Sequence, residues 1–164
     1  MDAAMKASLK DTRFVRLRAE IGSGAVLSGT GQIKAEISAG MQETSNPNQS
    51  VAQVTIKITA IPQGSDDASQ FAFQIEVVGN GLYEWPNGEM PTNLKDLGLN
   101  RLLCQPIYTL AVSEAVQLAQ RMGFNNVRLP WDIPTESTQA IPTKKARAPK
   151  ELAKPTSRRR AKAA

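Results

Sequence analysis

No histidine occurs in the 164 residues. This removes the side chain most used as a general base near neutral pH, and the commonest neutral metal ligand. There is one cysteine, Cys104, so neither an intrachain disulfide nor a paired-cysteine zinc site can form. A lone thiol fits a reducing compartment. No segment approaches the roughly 20 consecutive apolar residues of a membrane helix. The opening MDAAMKASLKDTRFVRLRAEI has no apolar run of signal-peptide length. The expectation is a soluble cytoplasmic protein without membrane insertion. No P-loop and no glycine-rich loop opening a helix is present. Asp66-Asp67 lies in a polar loop and reads as a solvated turn. Cys104 has no base partner in the sequence, so a small buried hydrophobe is its expected role. Nothing assembles into a catalytic site. We expect no enzymatic activity, no cofactor and no metal.

Charge is present but unevenly placed. Residues 143–164 hold nine Lys or Arg and one acid, Glu151, a balance of +8. The other 142 residues hold 11 basic and 14 acidic side chains, a balance of −3. A mildly acidic body therefore carries a strongly basic tail. From Thr135 onward Pro, Ala, Lys and Arg dominate and core residues are almost absent. This predicts a folded domain over 1–134 and a disordered tail over 135–164.

The one long helical pattern is CQPIYTLAVSEAVQLAQRMGF, residues 104–124. Ile107, Leu110, Ala111, Ala115, Leu118, Ala119 and Met122 recur at spacings of three and four and share one side. Pro106 suits a first helical position and Gly123 a left-handed stop. From 107 to 122 the helix is about 24 Å long at roughly 1.5 Å per residue. Its apolar side is wide enough to predict burial against a sheet and a second subunit.

Strands are predicted over 14–21, 32–38, 51–61 and 70–78. In the first, Val15, Leu17, Ala19 and Ile21 alternate with Arg16 and Arg18. In the third, Val54, Ile56, Ile58 and Ala60 share a face, and in the fourth Phe71, Phe73, Ile75 and Val77 do. Gly79-Asn80-Gly81 reads as a sharp backbone break. Residues 86–100 carry Pro86, Gly88, Pro91 and Gly98 alongside Met90, Leu94, Leu97 and Leu99, and show no regular pattern. A loop this long and apolar is functional or folded over something. Consecutive strands with short links argue for an antiparallel sheet, wet on one face and covered by the helix on the other. Apolar side chains on irregular backbone, among them Tyr83, Trp85, Met90 and Trp131, point to binding, because Met re-packs easily and Trp offers a large contact area.

The order of these pieces resembles the SecB family of export chaperones. The parts are IKAEIS (33–38), VAQVTIKITAI (51–61), FAFQIEVVGNGLYEW (71–85), a long crossover, Cys104-Gln105-Pro106 opening a helix, a Gly-Phe turn, and Arg128-Leu129-Pro130. Together they span about two-thirds of the chain. The resemblance implies an α+β fold with a four-stranded antiparallel sheet and one long helix packed at an oligomer interface, in a dimer of dimers. Interface positions on that helix are Ile107, Leu110, Ala111, Ala115, Leu118 and Met122. It implies an ATP-independent holdase for unfolded polypeptides, preproteins or a specific client such as an antitoxin, held in apolar grooves. By position the groove residues are Val26, Leu27, Ile37, Met41, Tyr83, Trp85, Met90 and Trp131. The family docks a translocase ATPase motor on the open sheet face through acidic residues and a leucine. Glu76 matches the acidic position, while Gln74 stands where the leucine would be, which weighs against motor docking here. The Pro-rich basic C-terminus also departs from the family's amphipathic helix and acidic end.

Lys144, Lys145, Arg147, Arg158, Arg159 and Arg160 leave an alternative open: an oligomeric nucleic-acid-binding protein gripping phosphates through its tail. Acidic clients or solubility are the other uses of such a tail.

Overall fold

A computed structural model of the chain describes residues 6–23, 31–62, 70–86 and 90–134. Val26, Leu27, the Asp66-Asp67 pair and all six tail cations named above lie outside the described residues. The elements are β1 (Ser8–Ile21), β2 (Gly31–Glu43), β3 (Gln49–Pro62), β4 (Phe73–Glu84) and α1 (Leu97–Arg121). The strands form one antiparallel sheet in the order β1-β4-β3-β2. β2, β3 and β4 pair with their chain neighbours, whereas β1 lands beside β4, at the opposite edge from β2. The helix lies on one face of this sheet, giving a two-layer α+β architecture.

β3 follows its sequence alternation closely. Val54, Ile56, Ile58 and Ala60 are buried under the helix, with Phe73, Ile75 and Val77 of β4 beside them. Branched and aromatic side chains suit this pleated, covered surface. β2 turns into β3 through a short polar link, where the Asn48 N–H donates to Asn46 Oδ1 and the Asn46 N–H to Thr44 Oγ1.

Three expectations are corrected. First, Gly79-Asn80-Gly81 is no break: β4 runs straight through it. The glycines serve the helix instead. A Cβ on Gly79 would stand 3.1 Å from Ile107 Cγ2, and one on Gly81 would overlap Ile107 Cδ1. Bare backbone lets α1 settle onto the strand. Second, α1 starts at Leu97, inside the stretch 86–100 that shows no pattern. Asp96 caps it, accepting from the Leu99 N–H at 2.8 Å. Pro106 is therefore interior rather than at the first position. Third, Phe14 shares a face with Leu17 and Ile21, because a bulge between Phe14 and Arg16 shifts the register. Val15 is turned to the opposite face, where it lines a concavity with Arg16, Thr55 and Glu76.

The helix ends as the sequence indicates. Gly123 takes φ +92° and the Phe124 N–H returns to Ala119 O at 2.9 Å. The Phe124 ring then packs on Phe73, with centroids 4.4 Å apart.

Candidate binding surface

Tyr83 and Trp85, expected on an open groove wall, are interior. Trp85 is 1% exposed, and its indole N–H donates to Ser50 Oγ at 2.9 Å. Tyr83 is buried and its hydroxyl donates to Leu103 O at 2.7 Å. For Tyr83 the physical reason is the early start of α1, which brings Leu103 over its ring end; Trp85 is tied to the β2–β3 link instead, its backbone N–H donating to Asn48 O at 2.8 Å. Burial pushes the Tyr83 phenol up to about 12, since the anion would lose its solvation, and nearby Cys104 adds to the rise. Cys104 is fully buried, and desolvation pushes its thiol up to about 12 although the Gly40 backbone lies beside it and pulls the other way. The thiol is an inert core group, as its lack of a base partner indicated.

The segment after the helix is strapped to it. Gln105 Nε2 donates to Trp131 O at 2.9 Å, and Gln105 Oε1 accepts from the Ile133 N–H at 3.3 Å. The Tyr108 hydroxyl donates to Pro130 O at 2.8 Å. Val127 and Ile133 are buried as a result. Trp131, between these anchors, stands out of the surface at 72% exposure. The strap thus holds a large aromatic side chain in water on a fixed backbone. Ile37, Met41 and Met90, the remaining described groove candidates, are half-buried against the core. Gln105 and Tyr108 were missed as strap anchors. In the sequence Tyr108 reads only as one more residue on a helix, four positions after Cys104.

The six interface positions on α1 divide. Ile107, Ala111 and Ala115 are consumed by the chain's own sheet. Leu118 and Met122 are half-buried, and Leu110 is 47% exposed. Leu110 looks towards β1, where Thr12, Phe14, Gly79 and Ile107 complete a shallow cleft of about 30 Å³. Every residue of β1 is exposed. Leu9, Phe14, Leu17 and Ile21 are aligned with the core side chains of β4 yet have no cover of their own.

The opposite face of the sheet is polar. A concavity of about 920 Å³ there is lined in part by Arg16, Gln53, Lys57 and Glu76. Glu76, the candidate motor-docking acid, is held by Arg16 at 3.1 Å and approached by Lys57 at 4.0 Å. Gln74 flanks it, paired in register with Glu20 of β1. Among the described residues no group of three or more His, Cys, Asp or Glu gathers, and no helix is long and apolar enough to cross a membrane.

No protein-family model matches the chain, and no curated protein matches it. Among solved structures it is similar to the Mycobacterium tuberculosis SecB-like chaperone Rv1957, determined in complex with a ChAD peptide from the Rv1956 HigA1 antitoxin. The TM-score is 0.61 at 14% identity, over 77% of this chain and 91% of that chain. The fold expected from the strand order and the Cys-Gln-Pro helix start is therefore the fold observed.

Proposed function

We propose that the chain is an ATP-independent holdase that keeps unfolded polypeptides from aggregating, working as a homo-oligomer in a reducing, cytoplasmic setting. The observation that carries the reading is Trp131, held in water by a strap that buries its neighbours Val127 and Ile133. Folding gains nothing from an exposed indole on an ordered backbone, whereas a passing apolar segment does. Ile37, Met41 and Met90, half-buried against the core, are the lesser candidate contacts. A SecB-like fold solved with an antitoxin peptide supports a specific client, such as an antitoxin, as readily as preproteins. Affinity would come from many weak contacts at roughly 25 cal/mol per Å² of apolar area buried.

The exposed edge strand β1 supports the oligomer in this reading. A 14-residue edge strand with an uncovered apolar side is an aggregation hazard unless another chain pairs with it. A second copy meeting β1 and Leu110 covers both, and a dimer of dimers buries the rest of the helix ridge. Export-motor docking finds less support, because Glu76 is already neutralised by Arg16 and Lys57.

The basic tail carries the second reading, nucleic-acid binding through phosphate contacts. Anisotropy of a fluorescent, permanently unfolded client tests the first reading against it. Binding should survive deletion of residues 143–164 and weaken at least several-fold in Trp131→Ala. If the deletion abolishes all ligand binding, and the full chain binds RNA or DNA with a steep salt dependence, the tail reading replaces the holdase.

A further inference from the structure

Three arginines of β1 share the sheet face turned away from α1. Arg13, Arg16 and Arg18 stand in register with Asn80, Val78 and Glu76 of β4. Those partners are every second residue of one strand, so they point to one side. Gly79 and Gly81, between and beside them, meet Ile107 of the helix, so that side is the open one. Spacing in the sequence would split the three, because Arg13 and Arg16 differ by an odd number of positions. The bulge between Phe14 and Arg16 adds the residue that brings Arg13 round to join the others. Successive members of the column are about 6.6 Å apart along the strand.

Acids of the face do not balance this column. Arg16 Nη1 donates to Glu76 Oε1 at 3.1 Å, and Lys57 Nζ lies 4.0 Å from the same oxygen. Two cations thus share one carboxylate. Arg18 Nη2 donates to Glu20 Oε2 at 3.0 Å. Arg13 has no ion-pair partner among the described residues. The Arg16 and Arg18 side chains stay 62% and 70% exposed, and each pair engages one nitrogen of a fork that carries five N–H donors. Like charges spaced within the Debye length, about 8 Å at physiological salt, repel one another in the free chain. The sheet gains nothing from lining them up.

Beside the column the 920 Å³ concavity offers a bed of neutral hydrogen-bonding groups, Ser38, Gln53 and Thr55. Gln53 is fixed there by Nε2 donating to Asn80 Oδ1 at 3.1 Å. Hydroxyls and amides of this kind suit the N–H and C=O groups of a peptide backbone.

We infer that this open face of β1 and β4 is a docking site for an extended acidic peptide segment, with carboxylates at alternate positions. Alternate side chains of an extended chain also repeat at about 6.6 Å, so each carboxylate meets one arginine, which can grip it with two parallel bonds. A nucleic acid fits less well. No aromatic residue lines the concavity among the described residues, so bases find no stacking platform. Glu36, across the sheet beside Lys57, would meet a continuous run of phosphates with like charge. The site does not depend on the holdase reading. A second copy pairing edge to edge with β1 leaves it open, because ladder bonds lie in the plane of the sheet.

Anisotropy of a labelled peptide carrying Glu-Thr-Glu-Thr-Glu tests it on the full chain, so that the basic tail is present throughout. Arg13→Gln, which breaks no ion pair within the chain, should weaken binding several-fold at an unchanged melting temperature. The triple Arg13→Gln, Arg16→Gln and Arg18→Gln variant should weaken it further. A peptide of the same composition with its three glutamates consecutive should bind several-fold more weakly than the alternating one. Binding that ignores the arginine substitutions would assign the peptide to the tail and overturn the site. Equal affinity for the two peptides would overturn the register. A single-stranded RNA of equal charge that binds more tightly than the peptide, and loses that binding in the triple variant, would replace the peptide as occupant.

Discussion

β1 and β3 are both 14 residues long and belong to one sheet, yet their surroundings are opposite. Along β3 every second side chain is buried beneath α1. Along β1 no residue is buried, although Leu9, Phe14, Leu17 and Ile21 present the same chemistry to the same side. The difference is cover: α1 packs on β2, β3 and β4 and barely touches β1. Apolar alternation therefore marks which face of a strand wants to be dry, not whether its own chain dries it. β3 stabilises the fold, whereas β1 keeps its apolar side uncovered within the single chain.

Removing side chains from the two strands should break them differently. Ile56→Ala, in the sealed part of β3, should cost about 2–5 kcal/mol by denaturant titration. Gly81→Val, where a Cβ already overlaps Ile107, should cost about 1–3 kcal/mol through forced displacement of the helix. The covered half should also fail in alkali. Tyr83 and Cys104 have folded values raised above their unfolded ones, so their neutral forms favour the native state. Stability should be complete below about pH 9 and fall as the pH climbs towards 12, read by thermal melts against pH. On β1, Leu17→Lys should change the stability of the single chain by within about 0.5 kcal/mol. The same substitution should lower the mass in light scattering from an oligomer to smaller species. Equal stability losses at Ile56 and Leu17 would erase the distinction between the strands.

The sheet was legible because its middle strands are self-contained: Val54 to Ala60 and Phe73 to Val77 repeat at a period of two under one cover. Three features were not legible, each for a tertiary reason. Gly79 and Gly81 look like a turn because a helix pressing on bare strand leaves no local trace. The start of α1 is hidden because Gly98 and Pro106 weaken the pattern, while Asp96 provides the one cap signal. Trp85 and Trp131 look alike in the sequence, as single aromatics among prolines. A partner hydroxyl 35 residues away buries the first, and the strap from Gln105 and Tyr108 exposes the second. Long-range hydrogen bonds of this kind have no sequence period.

The most direct measurement is light scattering of a chemically denatured client diluted into buffer with the full chain and no nucleotide. The account predicts that aggregation is suppressed near equal molar amounts, and that Trp131→Ala needs several-fold more protein for the same suppression. Aggregation at the rate of the client alone would contradict it.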